Sequence, residues 1–459
     1  METKKFRLMD AILTVICVVF VAEAAAPVAS IGNSQYFWWV FMIIAFLLPY
    51  GLISSELGTT YNGDGGMYDW IRAAYPKGKT AGRSAWYYWI NFPLWMASLA
   101  VLCPDLISII TGMTLGAIPS LLIQMGFIWI VVLISFFPAS NNTWILNGAA
   151  VIKVLLALIM GGLGIYGAVT HGVANEYTVA SMLPSFDLNS LSFISVIIFN
   201  CLGFEVICTL TGSMQNPKKQ IPQSIIIGGI VIAAIYIFCA FGIGAAIPSD
   251  QIGADTGLIN AMMLLTGKTG GLFIGAMALL FMVTLFGNMI SWSLGVNSVA
   301  SYAADNHDLP QVFAKRSAKN DMPIGAALMN GIVATIVVGI GAILQYVYPD
   351  SELFWSFFAL NLVMFLLSYL PIFPAFLKLR KTDPDRERPF KVSGGAVVQK
   401  ILAIVPMLLI IISIFFTAIP LAFDSETLSA TLPITIGSVI FLIIGEIVIA
   451  LCRKKHAVE

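Results

Sequence analysis

The sequence contains few ionisable side chains. Of its 459 residues only 10% are Asp, Glu, Lys or Arg, and three are histidine. A soluble globular chain carries roughly 25% charged residues. Because this number of charges is too small to hydrate the surface of a chain this long, we exclude a soluble enzyme, a disordered protein and a nucleic-acid-binding protein. Lys and Arg together number 24, as do Asp and Glu, so net charge indicates no partner.

The sequence also lacks the usual motifs of catalysis and metal binding. It has no CxxC pair, no zinc-type spacing, no GxSxG and no P-loop, and its histidines fall in loops or the tail. The six cysteines all lie in or at apolar segments, which argues against a disulfide framework. We therefore expect no metal, no cofactor, no catalytic residues and no enzyme activity.

Long apolar runs are what the sequence does contain, at 59% hydrophobic residues. They are continuous and do not alternate with period two, so they predict spanning helices rather than an outer-membrane barrel. The first run is too long for a cleaved signal peptide. The predicted fold class is an all-α polytopic membrane protein with one membrane domain. Its twelve predicted spans are roughly 10–32, 36–57, 85–112, 119–138, 144–168, 190–212, 223–247, 271–302, 324–346, 352–378, 399–422 and 431–452.

Positive charges predict the orientation of these spans. If the N-terminus is cytoplasmic, alternate loops place 22 of the 24 Lys and Arg residues inside. Only Lys268 falls outside, and Lys153 lies within a span. This bias predicts a multi-pass protein of the bacterial cytoplasmic membrane with both termini inside. The basic segment 378–400 is expected to be a solvated loop, with anionic-lipid binding as a weaker alternative.

Two predicted spans combine a carboxylate with a helix break. The first contains Glu23 and then Pro27, which cannot donate to the helix ladder, and the sixth contains Gly203 and then Glu205. Buried polar groups and broken helices are costly in lipid, so they indicate function. Two breaks five spans apart predict two inverted five-helix repeats that bind substrate at the midplane. The alternative is that each Glu only caps a helix end or pairs with a lysine.

The proposed repeats divide the chain into three parts, with repeat one at about 10–168, repeat two at about 190–378 and two extra helices at about 399–452. Asp105 in the third span is a weaker site candidate, because it follows Pro104 and falls near the outer interface. Glu56 and Glu446 lie at or near span ends and are interpreted as structural or interfacial.

Several motifs together resemble the amino acid–polyamine–organocation superfamily over nearly the whole chain. The matching segments are Glu56-Leu57 with 62–70 (NGDGGMYDW), Gly203-Phe204-Glu205 with 215–222 (QNPKKQIP), and 303–310 (AADNHDLP) with Pro323. The resemblance implies the inverted 5+5 repeat (APC/LeuT-type) fold plus two C-terminal helices. It also implies alternating-access transport of an amino acid or amine.

One departure from the family pattern concerns the substrate. Members usually have a Gly-Ser-Gly-like break in the first helix that holds a substrate carboxylate, whereas this chain has Glu23 among alanines. A fixed anion there would repel a carboxylate and attract an ammonium or guanidinium. The segments 16–27 and 31–35 also resemble bacterial agmatine–putrescine antiporters. Tyrosine–tyramine, arginine–agmatine and glutamate–GABA exchangers, and a proton-coupled amino acid importer, stay open as alternatives.

The resemblance also assigns residues. Phe199 and Trp292 match the aromatic lid and the eighth-helix tryptophan of arginine–agmatine antiporters, which makes them gate candidates. Lys153 lies where sodium-coupled relatives hold a cation, so it is a coupling candidate. The alternatives are that Lys153 snorkels to the interface or that it pairs with a glutamate carboxylate from another helix. The substrate-binding candidates are Ala22, Glu23, Ala26, Asp105, Asn200, Cys201, Gly203 and Glu205.

These assignments predict a secondary antiporter that exchanges small cationic amines, with agmatine for putrescine as the first choice. The expected partners are those amines and membrane lipids, without nucleic acid, and the protein is expected to be a monomer or homodimer. A channel would show charge rings or a repeated filter, and a membrane enzyme would need a nucleophile and a base, so both rival classes are disfavoured.

Overall fold

A computed structural model describes residues 5–21, 26–186, 188–252, 257–347, 353–420 and 425–456. Within these residues the regular structure is helical. The first eight α-helices are α1 (Leu8–Val19), α2 (Ser34–Met42), α3 (Leu48–Thr60), α4 (Met67–Ala74), α5 (Thr80–Thr111), α6 (Ala117–Ile134), α7 (Ala139–His171) and α8 (Leu188–Phe199). The others are α9 (Pro217–Ala246), α10 (Leu258–Thr266), α11 (Leu272–Asp305), α12 (Ile324–Val347), α13 (Leu353–Tyr369), α14 (Ile372–Thr382), α15 (Ala396–Ala418) and α16 (Ser425–His456).

The described helices account for the twelve predicted spans. Eleven helical segments are long and apolar enough to cross a membrane, and α1 is a shorter apolar helix at the position of the first predicted span. Helices α2 and α3 form the second span through a π-helical turn, Ile43–Leu47. Helices α13 and α14 share the tenth span. The chain is thus a multi-pass membrane protein, and the predicted fold class is confirmed.

Two spans are interrupted where the sequence predicts a break. The first span consists of α1, which ends at Val19, and a 3-10 helix, Pro27–Ile31, with Pro27 as its first residue. The sixth span consists of α8 and a second 3-10 helix, Phe204–Ser213. Gly203 joins its two halves at a φ of 120°, which is a conformation that side-chain-bearing residues rarely adopt.

The interrupted first span lies inside the bundle. Helix α1 packs against α7, α9 and α11, while α5 packs against α11 and α13. The N-terminal segment also pairs with the end of the sixth span, because the Phe6 amide donates to the Ser213 carbonyl at 2.7 Å. The two interrupted spans are therefore in contact and lie among the other helices of the bundle.

Three segments, 61–79, 306–323 and 383–395, contain nine of the 24 Lys and Arg residues, and we call the surface that they form the Lys/Arg-rich face. The first segment contacts the second through a hydrogen bond that Tyr68 donates to Asp308 at 3.0 Å. Tyr61 donates a hydrogen bond to Asp383 at 3.0 Å. Burial and this bond raise the pKa of Tyr61 to about 12, so its hydroxyl stays protonated at neutral pH.

The interpretation of 378–400 as a solvated loop is wrong in part. Arg380 and Arg388 of this segment form ion pairs with Glu56, which is 2% exposed, and the Val392 amide donates to the same carboxylate at 2.7 Å. A buried carboxylate needs such partners, and these came from a segment more than 300 residues away. The structural interpretation of Glu56 agrees with these contacts. Glu446 pairs with Arg83 and Lys79 near the same face.

We expect Gly203→Ala to lower stability by about 2 kcal/mol, since it combines backbone strain with overpacking. A Cβ at this position would lie 2.8 Å from Val18 Cγ1 and 3.0 Å from Trp292 Cζ2. Thermal unfolding of the purified protein in detergent measures the change. Gly162→Ala is the matched control, because a Cβ there meets nothing within 4 Å. Equal stability of the two variants would contradict the tight packing at Gly203.

Candidate functional site

The two helix breaks meet at the centre of the bundle. Val18, near the end of α1, and Trp292 of α11 are the neighbours that a Cβ on Gly203 would strike. In the middle of a membrane no water satisfies the backbone groups that a break releases. The side chains that bind these groups therefore define the site.

Donors from two neighbouring helices bind the carbonyl groups at the end of α1. Lys153 Nζ on α7 donates to the Cys17 carbonyl at 2.7 Å and to the Phe20 carbonyl at 2.5 Å. On α11, Asn288 donates to the Cys17 carbonyl at 3.1 Å and Trp292 Nε1 donates to the Val18 carbonyl at 3.0 Å. A positive charge at a helix C-terminus is also favourable because it opposes the negative end of the helix dipole.

Burial excludes one of the alternatives for Lys153. The side chain is 1% exposed, so it does not snorkel to an interface. Among the described residues its hydrogen-bond acceptors include the carbonyl groups of Cys17 and Phe20. The binding of Lys153 by a carboxylate from another helix stays a prediction. Backbone carbonyls are also ligands that hold metal cations in proteins. The Lys153 ammonium thus lies among backbone carbonyl oxygens of the kind that coordinate a metal cation.

The carboxylate of Glu205 is held by three tyrosines. Tyr88 on α5 and Tyr369 on α13 donate to Glu205 Oε1 at 2.6 and 2.5 Å, and Tyr50 on α3 donates to Oε2. Glu205 is 0% exposed, and no Lys or Arg among the described residues lies within 4 Å of it. The hydroxyls stabilise an ionised carboxylate but do not cancel its charge.

Aromatic rings surround the same region. Phe199, the last residue of α8, packs edge-on against Trp95, Phe358 and Phe365 with centroids 5.0–5.5 Å apart. Trp292 packs against Phe365 at 5.2 Å and approaches Tyr88 at 6.3 Å. Both gate candidates thus join one aromatic cluster beside Glu205. The π faces of such rings attract organic cations, at roughly 0.5–2 kcal/mol each.

The cluster is sealed from both faces of the bundle. Its side chains are all buried, and the most exposed of them, Trp292, is 5% accessible. A ligand can reach Glu205 only if helices move. The arrangement therefore suits a carrier that opens to one side at a time rather than an open pore.

The structure brings several predicted substrate-binding residues together. Asn200, Cys201 and Gly203 form the non-helical link beside Glu205, and all are buried. Ala26 is buried and accepts a hydrogen bond from the Ala29 amide at the start of the first 3-10 helix.

Of the other predicted binding residues, Ala22 and Glu23 lie outside the described residues. Asp105 is exposed on α5, ten residues and about 15 Å along the helix from Trp95 of the aromatic cluster. The structure does not bring it to Glu205.

Sequence reasoning missed the tyrosines and Asn288. A signal existed, because a buried tyrosine or asparagine in an apolar span needs a hydrogen-bond partner. The spans contain several such residues, however, and sequence alone does not say which of them face a break. Tyr236 on α9 is a further example, since its hydroxyl accepts a hydrogen bond from the Val21 amide at 2.9 Å.

Comparison with known proteins agrees with this geometry. A family model described as amino acid permease matches residues 6–447. The chain is 64% identical over 456 residues to a probable agmatine/putrescine antiporter of Lactococcus lactis subsp. lactis, covering 99% of this chain and 96% of the relative. It is 22% identical to a glutamate/gamma-aminobutyrate antiporter of the same organism, over 90% of this chain and 84% of the relative. A probable polyamine transporter of Arabidopsis thaliana is 22% identical, over 84% of this chain and 76% of the relative.

The two tyrosines on Glu205 Oε1 should act as a coupled pair. We expect Tyr88→Phe and Tyr369→Phe each to lower stability by about 1–2 kcal/mol, because each removes a hydrogen bond to a charged acceptor. The double variant should lose about 1 kcal/mol more than the sum, since it leaves Oε1 with no donor. Thermal unfolding of the four proteins in detergent measures this cycle. Tyr166→Phe, on the exposed part of α7, is the control, and strictly additive losses would contradict the shared role.

Proposed function

The chain belongs to the amino acid permease family, and from this membership and the site we propose that it is a secondary antiporter exchanging agmatine for putrescine across the bacterial cytoplasmic membrane. The observation that carries the proposal is the buried Glu205 carboxylate, which has hydroxyl donors but no basic partner within 4 Å among the described residues. The similarity to a probable agmatine/putrescine antiporter supports the same substrates.

We infer that Glu23 supplies a second negative charge to this site. Its described chain neighbours Val21 and Ala26 are both buried beside the break of the first span. Agmatine and putrescine each carry two positive charges at neutral pH, one at each end. Two carboxylates and the aromatic cluster of Phe199 and Trp292 would match such a dication. Asn200, Cys201 and Gly203 would shape the site, and Ala22 and Ala26 would flank Glu23.

A substrate with a carboxylate fits this site less well. Lys153 is the one basic side chain that the described structure places at the breaks, and its ammonium already donates to the Cys17 and Phe20 carbonyls. Tyrosine–tyramine, arginine–agmatine and glutamate–GABA exchange each require binding of an amino acid carboxylate. We therefore favour a pair in which both partners are amines.

The pattern of hydrogen-bond partners at the two breaks supports the proposed inverted repeats. The break of the first span is bound from the fifth, seventh and eighth spans by Lys153, Tyr236 and Trp292. The break of the sixth span is bound from the tenth, second and third spans by Tyr369, Tyr50 and Tyr88. A shift of five spans relates the two sets, as expected for repeats at about 10–168 and 190–378. Movement of the interrupted spans against the rest would give alternating access.

We infer further that exchange is faster than one-way transport, because an empty site would keep buried carboxylates without a cation during reorientation. We also propose that the Lys/Arg-rich face is cytoplasmic, with both termini inside, on the grounds of the positive-inside rule.

Counterflow in proteoliposomes tests the proposed function. Unlabelled putrescine inside should accelerate uptake of labelled agmatine, whereas a channel would show no such acceleration. Agmatine should also compete far better than arginine, because the two differ in the carboxylate that Glu23 would repel. Uptake that is indifferent to internal putrescine would overturn the proposal.

Glu23→Gln in the same assay tests the role of that carboxylate. The variant keeps the shape and a carbonyl acceptor but removes the charge, so agmatine affinity should fall about tenfold or more. The preference over arginine should shrink at the same time. Glu387→Gln, on the exposed part of the 383–395 segment, is the matched control. Unchanged competition in the Glu23 variant would make that residue structural.

Exchange should not require sodium if the Lys153 ammonium takes the place of a metal cation. We expect agmatine–putrescine exchange to proceed equally when choline replaces sodium. The Lys153→Met variant should lose exchange in either salt, since its side chain leaves the Cys17 and Phe20 carbonyls without an ammonium. Dependence of the wild-type rate on sodium would contradict this role of Lys153.

A further inference from the structure

A cavity lies between the central site and the Lys/Arg-rich face. Its volume is about 220 Å³, which corresponds to the liquid volume of about seven water molecules and is enough for a small amine. One wall is the 3-10 helix Phe204–Ser213, which contributes Thr209. Because Thr209 follows Glu205 by four residues on this helix, the two residues lie about 8 Å apart along the helix axis.

The cavity contains a carboxylate that no basic residue neutralises. Asp64 Oδ1 accepts a hydrogen bond from Thr211 at 2.8 Å, and Oδ2 lies 3.5 Å from the Tyr302 hydroxyl, which donates to it. No Lys or Arg in the described part of the chain is within 4 Å of Asp64. A carboxylate offers about four acceptor positions, so Asp64 retains capacity for a further donor.

The cavity's own basic residue is engaged elsewhere. Arg316 donates to Asp305 at 2.7 Å and to Asp321 at 3.3 Å, and its guanidinium lies over the Tyr302 ring at 5.3 Å. The positive charge of Arg316 is therefore paired with the carboxylates of Asp305 and Asp321 rather than with Asp64. The charged side chains that line the cavity are Asp64, Asp321 and Arg316, which together carry a net charge of −1 and favour a cation.

A buried hydroxyl provides an independent sign of a ligand. Ser301 on α11 lines the cavity and is 1% exposed, yet its Oγ has no hydrogen-bond partner among the described residues. Buried hydroxyls rarely stay unpaired. Ser298, one helical turn away, lines the same wall. The hydroxyl and the Asp64 carboxylate are acceptors of the kind that an ammonium group, with its three donors, requires.

We propose that this cavity is a second binding site, in which Asp64 and Ser301 hold the ammonium group of an amine that is entering or leaving through the Lys/Arg-rich face. The inference rests on the proposed amine exchange and adds a site that the central exchange does not require. The loop before α4 couples the site to the sixth span, because a Cβ on Gly66 would lie 2.7 Å from Thr209 Cγ2. Movement of the 3-10 helix would therefore change the cavity.

Sided transport measurements test this site. In everted and right-side-out membrane vesicles, Asp64→Asn should raise the half-saturating putrescine concentration about fivefold at the Lys/Arg-rich face and leave it unchanged at the opposite face. Ser301→Ala should give a smaller rise at the same face. Asp385→Asn, an exposed change of equal charge in the 383–395 segment, is the matched control. Equal effects of Asp64→Asn at both faces, or none, would overturn the inference.

Calorimetry of the purified full chain with putrescine gives a readout that does not depend on transport. The wild type should show two binding events per chain, and Asp64→Asn should lose the weaker one and keep the other. One event in both proteins would overturn the second site while leaving the proposed exchange intact. Absence of exchange in the wild type, with the Asp64-dependent event still present, would overturn only the proposed function.

Discussion

Interruption of a helix inside a membrane is the constraint on which the rest of this structure depends. Each break releases backbone groups, and lipid offers them no hydrogen bonds. The protein satisfies those groups from neighbouring spans, with the Lys153 ammonium at the first break and the Tyr50 hydroxyl 3.4 Å from the Glu205 amide at the second. The surrounding helices position these partners. The two breaks therefore depend on a fixed set of hydrogen-bond partners around them.

The two breaks have related geometry but opposite chemistry. At the first, backbone carbonyls receive a cationic donor from Lys153 and neutral donors from Asn288 and Trp292. At the second, the charged group is the acceptor, Glu205, and the tyrosine donors are neutral. One break is therefore completed by a built-in cation, whereas the other presents an anion. This difference is the basis for the proposal that the substrate cation binds at the second break.

The sequence predicts the spans and the breaks because both depend on local properties. Apolar length determines a spanning helix, and Pro27 and Gly203 indicate where each span is interrupted, since α1 ends at Val19 before Pro27 and α8 ends at Phe199 before Gly203. The partners of the breaks could not be predicted, since Tyr369 and Glu205 are 164 residues apart and only the tertiary fold brings them together. The same limit explains the error over 378–400. A basic loop looks solvated until the fold places Arg380 and Arg388 against Glu56.

Glu56 and Glu205 show what the fold adds to a carboxylate. Both are buried in or at the end of a span, at 2% and 0% exposure. Glu56 has two guanidinium groups and a backbone amide, so its charge is compensated within the protein and it holds the fold together. Among the described residues Glu205 accepts hydrogen bonds from tyrosine hydroxyls and has no Lys or Arg within 4 Å, so the charge of an ionised Glu205 would be uncompensated in a region of low dielectric. A cation from outside would complete this site, which links the proposed preference for amines to the proposed exchange.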